Sequence, residues 1–155
     1  MLLIGNGRLL TRDQGNYIEN GAVAIEGNLI LEVGETAKLK QKYPQAEWID
    51  ADGGVIMPGL VNTHNHIYSA FARGLSIKGY NPHDFNDILE GMWWKIDRLL
   101  TKENDSLSAQ AVYIDCIKNG VTTVFDHHAS YLDIPGSLDT MADAAKQLGV
   151  RTSLC

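Results

Sequence analysis

Cysteine is almost missing from this chain, with only Cys116 and Cys155 among 155 residues. Two thiols make no disulfide framework, and their separation matches no metal-ligand spacing. Each is expected to be a small buried apolar residue in a reducing cytoplasm. No apolar run is long enough to span a bilayer, which argues against a membrane protein. The segment Met1–Gly7 is too short in its apolar part, and lacks the basic flank, to act as a secretory signal. Basic clusters are absent too, and the net charge of −6 argues against nucleic acid or an anionic membrane as partner. What remains is 45% hydrophobic and 21% charged, the composition of a soluble globular protein.

Turn signals divide the chain. Residues 1–57 read as short strands joined by glycine turns. Leu2–Leu10 is followed by a turn at Asn20–Gly21, by Ala22–Glu26, by a Gly27–Asn28 turn and by Leu29–Val33. A short helix over Thr36–Tyr43 stops before Pro44, and Trp48–Asp50 resumes as strand, giving a small, mainly antiparallel β unit. From Pro58 the logic changes. A strand over Leu60–His64 leads to a loop and then to a helix start at Asn81–Asp84. Phe85, Ile88, Leu89, Met92, Trp93, Ile96, Leu99 and Leu100 recur at helical spacing. A second helix over Glu103–Asn119, with Leu107, Ala111, Ile114 and Ile117 inward, ends at Gly120. The strand Val121–Phe125, a helix opening at Ser137, and a strand from Val150 complete an α/β pattern over residues 58–155. Active sites in such folds sit at the carboxyl ends of the strands. Three parallel strands cannot close a barrel, and the last would be an open edge. The chain is therefore expected to be the front portion of a larger protein, with a complete small open α/β domain as the competing reading.

The strongest chemical signal is His64-Asn65-His66, directly after Pro58-Gly59-Leu60-Val61. Alternate side chains of an extended strand share a face, so His64 and His66 point together; on a helix the same spacing would part them. Two imidazoles on one face can both reach one metal ion, and histidine is the commonest metal ligand. A row of polar groups on a buried strand also costs free energy unless bonded or ligated. At the next strand end, one of His127 and His128 should face the site as a substrate contact, and periodicity does not choose between them. Trp93 and Trp94 are adjacent and cannot both face the core, which makes Trp94 a candidate for the substrate pocket. His83 reads as surface, and Arg73 as one half of a structural salt bridge.

The segment Pro58–His66, followed by Arg73–Gly74, resembles the amidohydrolase superfamily. The nearest branch holds the cytosine, guanine and S-adenosylhomocysteine deaminases with the triazine chlorohydrolases. Three segments, His64–Ser69, Trp93–Arg98 and Asp126–Ser130, are most similar to aminohydrolases associated with selenium metabolism. The resemblance implies the N-terminal part of a (β/α)8 TIM barrel, preceded by part of a small β-sandwich built from both chain ends. It implies one divalent metal, zinc or iron, held by His64 and His66. The family's further His and Asp ligands, and its Glu and His proton-transfer groups, would lie beyond this sequence, so no catalytic residue is expected within it. Asp97 falls where S-adenosylhomocysteine-deaminase-like members carry a substrate-contacting Glu, which marks it as a substrate-binding candidate; otherwise it is a helix charge paired locally.

A divalent metal lowers the pKa of bound water to roughly 7 and so provides hydroxide at neutral pH. The leading expectation is therefore a metal-dependent aminohydrolase acting on a nitrogen heterocycle or amidine-like small molecule, inactive as the isolated piece. Dechlorination of a triazine-like ring uses the same hydroxide on another leaving group. A different class of reading is a non-catalytic fragment or subunit. A homo-oligomer is left open for the complete protein.

Overall fold

In the computed structural model, which describes residues Met1–Cys155, the chain divides into two units, Met1–Pro58 and Gly59–Cys155. The first is one five-stranded sheet in the order β3-β2-β1-β4, with β5 also paired to β1. Its strands are β1 (Leu2–Leu10), β2 (Tyr17–Glu26), β3 (Leu29–Glu35), β4 (Glu47–Asp50) and β5 (Val55–Ile56). The β1-β2 and β2-β3 pairs are antiparallel, whereas β4 and β5 run parallel to β1. Gly27–Asn28 makes the tight β2-β3 turn, with Gly27 at φ +58°.

Asn20–Gly21 is not a turn. Both residues lie inside β2, and the β1-β2 connection closes earlier, over Thr11–Asn16. Gly21 is required by close approach rather than by φ: a Cβ there would meet the Leu9 Cβ at 2.4 Å. Helix α1 (Thr36–Lys42) follows β3, and its Leu39 packs with Leu3, Ala22 and Ala24. The helix ends before Tyr43–Pro44, because the residue preceding a proline is pushed out of the helical region.

The second unit is a parallel sheet in the order β6-β7-β8, made of β6 (Leu60–Asn65), β7 (Val121–Asp126) and β8 (Arg151–Leu154). Crossovers between parallel strands need helices, and both are present. A 3-10 segment Ile67–Ala72 leaves β6 directly. The stretch read as one amphipathic helix is broken: α2 (Phe85–Ile88), a π-helical turn Leu89–Trp93, then α3 (Trp94–Asp97). Leu99 lies past its end and is 72% exposed. The Asp84 carboxylate caps α2 by accepting from the Asp87 amide. Helix α4 (Lys102–Lys118) begins with a reciprocal capping box between Thr101 and Asn104. Helix α5 (Ser137–Leu148) ends at left-handed Gly149.

The inward face of α4 differs from the one its apolar spacing suggested. Leu107, Ile114 and Ile117 are exposed, and the buried side carries Asp105, Ser108, Ala109, Val112, Tyr113 and Cys116. Apolar residues occupy both sides of this helix, so periodicity had two stripes to choose from. The core joins that side to Ile67, Val124, Met141 and Ala145. Cys116 is buried there as expected, while Cys155 is exposed. No helix is long and apolar enough to cross a membrane.

Candidate metal and substrate site

At the carboxyl end of β6 the two histidines converge. His64 Nε2 and His66 Nε2 lie 3.1 Å apart. Two nitrogens bound to one zinc at ~2.0–2.1 Å and near-tetrahedral angle stand about 3.3 Å apart, so this pair has the bite of a chelate. The extended backbone accounts for the convergence, with one refinement. Register shifts between Asn62 and Asn65 place an extra residue in β6 opposite β7, a bulge of the kind that re-aims side chains beside sites.

The tautomer of His66 is fixed by a hydrogen bond. Its Nδ1 lies 3.0 Å from the backbone carbonyl of His127. A carbonyl only accepts, so Nδ1 carries the hydrogen and Nε2 keeps its lone pair for a metal. The residues thus fit half of a tetrahedral shell. No group of three or more His, Cys, Asp or Glu side chains gathers here to complete it.

Beside the pair opens a cavity of about 360 Å³ whose wall includes His66, Tyr68, Phe85, Leu89, Trp93, Trp94, Asp97, His127 and Tyr131. The π-helical turn supplies Leu89 and Trp93, and such turns concentrate at functional sites. Gly91 within it is needed because a Cβ would sit 2.4 Å from the Tyr80 ring. Both tryptophans reach the cavity, with Trp94 the more exposed.

Asp97 is the acid in this wall. It is only 4% exposed, and its Oδ1 has no hydrogen-bond partner. Burial raises its pKa and the nearby His66 pulls it back down. The local helix partner that would have made it a surface charge is absent. Tyr68, against both His66 and His128, has its phenol pushed up to about 12, by burial first and then by Asp97 and Asp126.

The structure separates the two adjacent histidines. Val124 and Asp126 are buried while Phe125 and His127 are exposed, so the alternation of β7 runs past the strand end. His127 follows the exposed set and lines the cavity. His128 follows the buried set and does not line this cavity. Its Nε2 stands 3.7 Å from Asp105 Oδ2, too long for a hydrogen bond, and its side chain is 6% exposed. Burial, and next the charge of His127, lowers the pKa of His128; burial raises that of Asp105. Arg73 pairs with Asp115 at 3.0 Å on the surface, as expected, and His83 is exposed beside Asp87.

Sequence reasoning missed Tyr68, Phe85, Leu89, Tyr131 and Asp126. Strand parity carried a signal for Asp126; Tyr68 reaches the cavity from the 3-10 segment, Phe85 from the first turn of α2, Leu89 from the π-helical turn and Tyr131 from the loop after β7.

Comparison with known proteins gives this arrangement a setting. The amidohydrolase family model matches residues 55–155, and a bacterial imidazolonepropionase-like composite domain matches residues 21–46. The chain is 32% identical to a 5'-deoxyadenosine deaminase of Methanosarcina barkeri, over 99% of this chain and 32% of that protein. It is 30% identical to a 5-methylthioadenosine/S-adenosylhomocysteine deaminase of Desulforudis audaxviator, over 87% of this chain and 29% of that protein. Among solved structures, a mutant atrazine chlorohydrolase from Arthrobacter aurescens, complexed with zinc and atraton, matches with a TM-score of 0.82 at 26% identity. That match covers 100% of this chain and 35% of the other. Guanine deaminase of E. coli shares the fold, with a TM-score of 0.81 at 20% identity over 99% of this chain and 37% of that one. The chain thus spans about a third of the length of the curated relatives it matches.

Proposed function

This chain belongs to the amidohydrolase family, and from that premise we propose that it provides the metal-ligand pair and one substrate wall of a metal-dependent aminohydrolase. The observation that carries the reading is the 3.1 Å approach of His64 Nε2 and His66 Nε2, with the His66 Nδ1 hydrogen committed to the His127 carbonyl. Zinc is the proposed metal, since neutral imidazoles suit it and the chlorohydrolase neighbour carries it. A divalent metal here would supply an acidified water for attack on an electron-poor ring carbon.

The chain's own residues position the substrate. Trp93, Trp94 and Phe85 offer aromatic faces to a flat nitrogen heterocycle. Asp97, a buried acceptor without a partner, takes a hydrogen bond from a hydroxyl or amino group on the same molecule. The exposed His127 ring, 5.3 Å from the His66 ring between centroids, meets the substrate from the end of β7. The remaining ligands and the proton-transfer groups would come from further barrel strands, and the sheet of Met1–Pro58 would form one layer of a composite β-sandwich. The proposed compartment is the cytoplasm and the proposed partner a small molecule.

Deamination is preferred because the relatives at 30% identity or more named here are deaminases. The likeness to a chlorohydrolase favours hydrolytic dechlorination as the second reading. The complete protein, supplied with aminopurine nucleosides, free aminopurines and chlorotriazines, should release ammonia from at least one amino heterocycle. Chloride release alone would move the assignment to dechlorination, and no release from any of them would refute the hydrolase reading.

A further inference from the structure

The carboxyl ends of β6 and β7 are locked by more than their ladder. Asn65 pairs with Asp126 as the last register position. Beyond it, the His127 amide donates to the Asn65 carbonyl at 2.9 Å, and His66 Nδ1 donates to the His127 carbonyl at 3.0 Å. The third bond is accepted by a side chain: the Ile67 amide donates to Asp126 Oδ1 at 2.6 Å. Two consecutive residues of one strand end thus hold three consecutive residues of the other, with His66 in the middle.

The third bond answers a specific need. His66 leaves the strand at φ −130°, ψ 78°, and Ile67 opens the 3-10 segment. Ile67 is fully buried, so its amide has neither a ladder partner nor water. Asp126, 3% exposed, is the group that meets it. Its other oxygen, Oδ2, makes no hydrogen bond.

We propose that Asp126 is a positioning residue for the His64–His66 pair, acting through the Ile67 amide to fix the backbone turn that aims the His66 ring. The inference rests on the metal-site reading above. Positioning through the amide requires an acceptor oxygen at one place and does not require the charge. Asp126→Asn retains that oxygen, whereas Asp126→Ala removes it. Asp126→Glu keeps the charge and displaces the oxygen by one methylene, and is the informative variant should the alanine protein fail to fold.

The test is zinc affinity of the complete protein by chelator competition, together with hydrogen exchange of the Ile67 amide in metal-free protein. The His64→Ala, His66→Ala double variant serves as control. Asp126→Ala and Asp126→Glu should weaken zinc binding by about 10–100-fold, as loss of outer support for a ligand does, and should speed Ile67 exchange. Asp126→Asn should keep both near the parent. Parental affinity in Asp126→Ala with a lowered melting temperature would overturn the proposal in favour of a merely structural residue. Equal weakening in Asn and Ala would overturn it in favour of charge. If the parent shows no histidine-dependent zinc, the metal reading fails by itself. Exchange at Ile67 then decides whether the Asp126 grip exists, and unchanged exchange in Asp126→Ala would end the proposal too.

Discussion

The two units of this chain treat buried polarity in opposite ways. In Met1–Pro58 the one buried polar side chain is Thr36, and it is satisfied on both sides. Its hydroxyl donates to the Gly21 carbonyl and accepts from the Asn6 amide, each at 2.9 Å. In Gly59–Cys155 the buried polar set includes three aspartates, and Asp97, Asp105, Asp126 and His128 all keep atoms without partners. Folding alone disfavours such groups, which cost free energy when unpaired. Sequences tolerate them where a site needs them. The unpaired buried groups that a site would call for thus lie in the second unit.

The sharpest way to strain this comparison is through the second unit's own core. Tyr113 is fully enclosed and bonded to Thr152 at 3.1 Å, so Tyr113→Ala should lose about 3–5 kcal/mol in urea unfolding. A negligible loss would mean that the second unit lacks a core worth the name. Next comes the Asp105–His128 pair. Replacing both with leucine should leave stability unchanged or raise it by roughly 1–4 kcal/mol, since neither group is properly bonded in the fold. Marked destabilisation would show the pair to be structural and erase the contrast. In the first unit, Thr36→Val should instead cost about 1–3 kcal/mol, by leaving the Asn6 amide and Gly21 carbonyl unpaired. A neutral outcome there would remove the other half of the contrast.

The smallest effect is a pH dependence. Burial holds the pKa of His128 below the usual histidine value. Below about pH 6.5 the unfolded chain takes up a proton that the folded site resists, so its stabilising contribution is present above that pH and lost as pH falls. The buried aspartates have raised values, with the opposite sign: their contribution is present at low pH and lost as pH rises through the folded pKa. Comparing melting temperatures of the parent and His128→Asn between pH 7 and 5 isolates the histidine. The parent should fall further with acidification, and parallel curves would contradict the assignment.

Much of the site was legible because it obeys short periods. The approach of His64 and His66 follows from alternation in a strand, and the strands after Gly120 and Gly149 are announced by those glycines. The choice between His127 and His128 was not legible, because β7 ends at Asp126; in the structure the Val124–Asp126–His128 set stays inward past that end. Other features need three dimensions. The buried side of α4 carries Asp105 and Ser108 in preference to Leu107 and Ile114, which no hydrophobic pattern selects. The π-helical turn at Leu89–Trp93 leaves no mark in an apolar spacing that α-helix satisfies equally well. The Asn20–Gly21 pair reads as a hairpin locally, but the close packing of Gly21 on Leu9 keeps it inside β2.

Elemental analysis of the purified complete protein, beside its His64→Ala, His66→Ala variant, tests the central claim most directly. One zinc per chain in the parent, lost in a variant that remains folded, is the predicted result. A parent without metal, or a variant that keeps its full complement, would contradict the assignment of these two imidazoles as the ligand pair.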